Sequence, residues 1–310
     1  MALQSTWLVV EHGSTPASQV ARRTLRKRLD AVWTELQAAA GERPTADRVH
    51  RLRVATRRTL AAVDVFADLL PAKRRDWFAK RLRRLRRAAG EARDLDVLTD
   101  RLGREVTGPQ PPAAGLAARD RLVAMLARRQ AASRAPIRQM RDSLLAADWH
   151  GRTERLLDGV RPRGKERPFA DFARRRFRPI VASFFATANH RLRSADEMHR
   201  LRIEGKKLRY AMEIFTSVFP ARERVRCTDA LEQLQETLGD FTDHAAAADR
   251  LRRWARSDGI GVQHRTLAAL HDVEAERAEK ARKTFTKWWS PARRRRLRRA
   301  LERTLRRRCA

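Results

Sequence analysis

The stretch DRVHRLRVATRR, residues 47–58, returns 149 residues later as DEMHRLRIEGKK, residues 196–207. Each copy follows HRLR with a basic pair, Arg57 and Arg58 in the first and Lys206 and Lys207 in the second. Sliding the chain by the same 149 residues aligns positions 47–102 with 196–251 without a gap, and 17 of those 56 positions are identical. The matches include His50 with His199, Arg53 with Arg202, Pro71 with Pro220, Gly90 with Gly239 and Asp94 with Asp243. So long a period exceeds a solenoid unit, so it points to duplication of a whole half.

The sequence around the repeat is helical in character. Ala, Leu and Arg abound, glycines number only 13 in 310 residues, and apolar side chains recur every three or four positions. The expectation is an all-α fold: an internally duplicated pair of helical bundles, about four helices each, with pseudo-twofold symmetry. One domain over 14–310 then consists of a first half, 14–158, and a second, 169–310, joined by a Gly/Pro-bearing linker at 159–168. Within each half the spacing predicts a long helix, a proline break and a second helix ending near glycine, with Asp47 and Asp196 as N-caps.

At 100° per residue, Val49, Leu52, Thr56, Val63, Phe66 and Leu70 fall on one side, and His50, Arg53, Arg57 and Arg58 on the other. In the second half Met198, Leu201, Ile214 and Phe215 repeat the apolar stripe, and His199, Arg202, Lys206 and Lys207 the basic one. Like charges one turn apart destabilise an isolated helix by a few tenths of a kcal/mol per pair, a cost that a bound anion offsets. A single such helix reads most simply as a solvated face; its recurrence with both histidines favours a binding row. The next helix of the first half, KRLRRLRRAAG from Lys80, carries a second stripe of Lys80, Arg83, Arg84 and Arg87. Its counterpart, DALEQLQETLG from Asp229, keeps the leucines and has acidic or amide residues there, so the arginines are not needed to build the helix. The C-terminal run ARRRRLRRALERTLRRR, residues 292–308, reads as a helix or a frayed basic tail.

A formal charge of +33 calls for a polyanionic partner or a surface that tolerates self-repulsion. Cys227 and Cys309 offer neither a disulfide framework nor zinc spacing, no run approaches a membrane span, and the opening has no cationic leader before an apolar core. The expectation is a soluble cytoplasmic protein without membrane contact, without a metal site and without a cofactor.

The quoted motifs, with LRRAAGEARDLDVL at 85–98 and LQETLGDFTDHAAA at 234–247, resemble the CHAD family, the conserved histidine α-helical domain. The resemblance runs from about residue 14 onward. It implies a helical-bundle repeat whose basic central surface binds inorganic polyphosphate, in members that associate with polyphosphate granules. Carried over by position, it implies a binding set of His50, Arg53, Arg57, Arg58, His199, Arg202, Lys206 and Lys207, continued by Arg209 and Tyr210 in KKLRY. Lys80, Arg83, Arg84 and Arg87 join the set on the helical-face argument alone. Many relatives carry a CYTH triphosphate-processing domain in front; no ExExK signature occurs here, and the chain before Pro16 is too short to hold one, so a stand-alone form is expected.

The chemistry of the residues agrees with that partner. A phosphate polymer offers closely spaced anionic oxygens and no bases, so it suits rows of arginine and lysine rather than stacking platforms. The chain has one tyrosine, and its seven tryptophans are not interleaved with the basic rows. The rival is a nucleic-acid-binding protein, because charge alone does not separate a phosphodiester from polyphosphate. An enzyme is not expected: His271–Asp272 is a bare dipeptide with no further ligands at metal-site spacing, and Asp94 reads as a structural partner for an arginine of the basic face.

Overall fold

The computed structural model describes residues 12–42, 44–107, 116–162, 164–189, 192, 194–257 and 262–306. Among them every regular element is helical, apart from one isolated bridge between Pro16 and Pro168. The chain divides into two compact units: 15–168, and 169–310 together with 12–14. The first holds α1 (Ala17–Ala39), α2 (Ala46–Val65), α3 (Ala72–Thr107), α4 (Leu116–Ala132), α5 (Ala135–Ala146) and α6 (Trp149–Asp158). The second holds α7 (Phe169–Ala188), α8 (Ala195–Ile214), α9 (Ala221–Ser257), α10 (Val262–Trp288) and α11 (Pro291–Arg306).

Six and five α-helices therefore replace the expected four or so per half among the described residues. The extra breaks have local causes. Pro136 fits only the first turn of a helix and so starts α5 afresh after Ser133 and Arg134. Asp148 takes a left-handed φ of 57° and caps α6 by accepting from the Gly151 amide.

The repeated stretch folds the same way in both units. α2 and α8 are each 20 residues long, each passes through a three-residue 3₁₀ turn (Ala67–Leu69, Thr216–Val218), and each leads through proline into a very long helix. Two expectations are corrected. The caps are Thr45, which accepts from the Arg48 amide, and Ser194, which forms a reciprocal capping box with Glu197. Asp47 and Asp196 lie inside the first turn, where a carboxylate favours the positive end of the helix dipole. Nor do the long helices stop at glycine: α3 continues through Gly90 to Thr107 and α9 through Gly239 to Ser257, because single glycines cost only about 1 kcal/mol in a well-packed helix.

The apolar stripes build the cores. In unit 1, Val49, Leu52, Ala55 and Val63 of α2 are sealed against α1 and α3, and a cluster of Trp33, Trp77, Phe78 and Trp149 ties α1, α3 and α6 together. In unit 2, Met198, Leu201 and Leu208 of α8 pack between α7 and α9, where Phe215 meets Phe177 and Phe219 edge to face and those two rings lie tilted against each other. Each fully buried side chain of this size contributes roughly 1.5–3 kcal/mol.

The basic C-terminal run is a helix over 291–306, not a frayed tail. Leu297, Ala300, Leu301 and Thr304 of α11 are buried against α7 and α9, and Arg303 reaches the buried Glu223 at 3.4 Å. Residues 307–310, Cys309 among them, lie outside the described part.

Candidate anion-binding site

Burying the apolar stripe of α2 turns His50, Arg53 and Arg57 outward on successive turns, and α8 does the same with His199, Arg202 and Lys206. Neighbouring guanidinium groups and partial desolvation act on the histidines. Loss of hydration, then Arg93, Arg53 and Arg57, hold the His50 pKa below its usual 6.5 despite the opposing pull of Asp47. His199 is lowered in the same way by desolvation, Arg202 and Lys206. Both rings are therefore neutral near pH 7 and present an N–H donor beside fixed cations.

A carboxylate on the following helix holds the central arginine of each row. Arg53 donates to Asp94 on α3 at 2.6 Å, and Arg202 to Asp243 on α9 at 3.4 Å. The two pairs occupy matching positions in the repeat, so the expected role of Asp94 as partner to a row arginine is seen twice. Sequence reasoning missed Arg93, whose charge acts on His50; its neighbour Asp94 was the available signal, since the long helix that brings one to α2 must bring the other. The equivalent residue in unit 2 is Thr242, so unit 1 has one more cation at its row.

Other members of the expected set stand apart. Lys207 lies about 100° around the helix from Lys206 and bonds Glu204 at 2.6 Å, a carboxylate that also accepts from Ser183 of α7. Arg58 has the same offset from Arg57, and its carbonyl accepts from the buried Arg28 of α1 at 2.6 Å. Arg209 stacks on Tyr210 and approaches Glu232 at 3.8 Å, while Tyr210 itself is buried.

Lys80, Arg83, Arg84 and Arg87 of α3 are all exposed, and Arg84 and Arg87 flank an open groove shared with Gln139 and Ser143 of α5. In unit 2 the positions matching Arg83 and Arg84 are Glu232 and Gln233, and neither projects freely. Glu232 faces Arg209 of α8, and Gln233 accepts from Arg293 of α11 at 3.2 Å. The acidic replacement is thus matched by basic partners on the two flanking helices.

Among the described residues no cluster of His, Cys, Asp or Glu is arranged to hold a metal, and no helix is long and apolar enough to cross a membrane. His271 bonds its neighbour Asp272 at 2.9 Å. Burial pushes the Cys227 thiol up to about 12, out of the range of a reactive thiolate.

The chain is helical throughout its described regular elements, and the helices α2 and α8 carry the similar HRLR stretches. The CHAD domain model matches residues 23–252, and the chain belongs to the CHAD family. Over 96% of its length it superposes, with a TM-score of 0.67 and 20% identity, on 95% of the crystal structure of the CHAD domain from the plant Ricinus communis. It likewise matches PptA from Streptomyces chartreusis with a TM-score of 0.54 and 20% identity, over 89% of this chain and 99% of that one. Two uncharacterized proteins of Mycobacterium tuberculosis, from strains CDC 1551 and H37Rv, are 29% identical over 253 residues, 76% of this chain. The chain spans 46% of the length of those relatives.

Proposed function

We propose that this protein binds inorganic polyphosphate through the two basic rows, one on each unit, and performs no chemistry on it. The observation that carries the reading is the paired geometry: in each unit a neutral histidine and two cations stand one turn apart, with the central arginine oriented by a carboxylate at the same position of the repeat. Guanidinium groups so held match phosphate oxygens, and neutral imidazole adds a donor without adding repulsion. Duplication of one ancestral half accounts for the row's appearing twice. Association with polyphosphate granules in the cytoplasm follows from the same affinity.

The test is direct. Labelled polyphosphate titrated with purified protein should bind, weaken steeply with salt by counterion release, and resist displacement by equal phosphate equivalents of DNA or RNA. Ready displacement would assign the rows to nucleic acid instead. Phosphate released by the protein with Mg²⁺ or Mn²⁺ would overturn the non-catalytic reading.

A further inference from the structure

At one level of unit 2, α7, α8, α9 and α11 form a ring of packed neighbours. Leu234 of α9 and Phe184 of α7 stand 3.2 and 3.7 Å from the position a Cβ on Gly205 of α8 would take. On the far side, Arg293 of α11 bonds Gln233 of α9, Arg294 donates to the Ala188 carbonyl of α7 at 3.1 Å, and Arg298 lies over Phe185. α8 and α11 each pack against both α7 and α9, so they fill opposite corners and their outer faces look away from each other. With interaxial spacings of 8–10 Å and side chains on both sides, those faces are separated by roughly 20 Å.

The arginines of α11 divide by role. Arg293, Arg294, Arg298 and Arg303 anchor the helix through Gln233, Ala188, Phe185 and Glu223. Arg295, Arg296 and Arg299 face outward beside Arg303 around one shallow depression, and among the described residues no carboxylate partner is seen for these three. Filling this corner does not demand such charge: in unit 1 the short α5 and α6 pack between α1 and α3, and α6 alternates Arg152, Glu154, Arg155 and Asp158. The apolar face of α11 is buried, which removes the means by which a basic amphipathic helix enters a lipid surface. No aromatic side chain occurs in α11, so a stacking platform for bases is lacking there too.

We infer that the outer face of α11 is a second phosphate-polymer surface, back to back with the α8 row, and that the protein bridges separate polyphosphate chains. The inference rests on the polyphosphate reading above. A protein with cationic faces on opposite sides cross-links long polyanions by multivalency, and so gathers them into an assembly rather than only coating them.

The experiment uses the full chain and two variants, R295E/R296E/R299E and the milder R295Q/R296Q/R299Q, both checked for helicity by circular dichroism. Short polyphosphate titrated calorimetrically should show one fewer chain bound per protein in the variants. With long polyphosphate, light scattering should fall at least fivefold while binding at the rows persists. Equal stoichiometry and scattering in wild type and both variants overturns the inference, as does a loss confined to DNA binding. If wild type binds no polyphosphate, the proposed function itself fails. If wild type binds and H199A/R202A weakens it while the α11 variants change nothing, only the bridging fails.

Discussion

Arg53 and Asp94, 41 residues apart on α2 and α3, meet at 2.6 Å, and Arg202 and Asp243 repeat the pair with the same separation on α8 and α9. The arginine side chains are 18% and 17% exposed and the aspartates 47% and 56%, so each guanidinium is steered from its sheltered side and each carboxylate remains wetted. Pairs so placed add little stability, about 0–1 kcal/mol, and their value lies in orientation. A carboxylate this close would also compete with a bound polyanion for the arginine and repel it.

D94N and D243N should therefore tighten polyphosphate binding about two- to fivefold and change the unfolding free energy by less than about 1 kcal/mol. R53A and R202A should weaken binding about tenfold each, the size of a lost charge-assisted hydrogen bond. Calorimetric titration and urea denaturation check both arms. Weaker binding in the Asn variants would show that orientation outweighs competition.

The histidines give a pH signature. Desolvation first and adjacent cations second lower both pKa values from 6.5 in the free protein. A bound polyanion favours the imidazolium, so the pKa rises on binding and protons are taken up. Affinity should then grow as pH falls through about 6.5 and below, and H50Q/H199Q should flatten that dependence. Calorimetry in buffers of differing ionisation heat measures the uptake. The sign for stability is opposite: with a folded pKa below the unfolded one, the unfolded chain binds more protons, so the free protein loses stability as pH drops below about 6.5. Binding that is flat in pH between 5.5 and 7.5 would exclude the histidines from contact.

The two halves differ where α3 is basic and α9 acidic. If the α3 stripe joins the proposed site, R83E/R84E should weaken polyphosphate binding at least tenfold and flatten its salt dependence, as removal of two phosphate contacts would. E232Q and Q233A should shift it less than twofold, because those side chains answer Arg209 and Arg293 within unit 2. Equal effects would place the α3 stripe outside the site.

Much of this was legible in the sequence. Period 3.6 spacing specifies helices, and HRLR, Pro71/Pro220 and Asp94/Asp243 align the two stretches from the sequence alone. What escaped was long-range or stereochemical. The cap position turned on whether Thr45 or Asp47 bonded a free amide, and both residue types cap well. Arg93 became part of the His50 environment only because α3 runs straight through Gly90, which local propensity disfavours. Lys207 and Arg209 belong to the motif as text, yet their bonds to Glu204 and Glu232 depend on how helices pack.

The C-terminal run illustrates the same limit and yields a stability test. Its composition, six arginines in the seven positions 293–299, resembles a solvated tail, and only the spacing of Leu297, Ala300, Leu301 and Thr304 reveals an inward stripe. Leu301 is fully buried, so L301A should leave a cavity and cost about 2–5 kcal/mol of unit 2 stability. R299A, on the outer face, should cost less than about 0.5 kcal/mol. Urea unfolding followed by circular dichroism distinguishes the two. Indifference to L301A would mean that α11 does not belong to the core it covers, and the arginines that anchor it would then be as free as those that face outward.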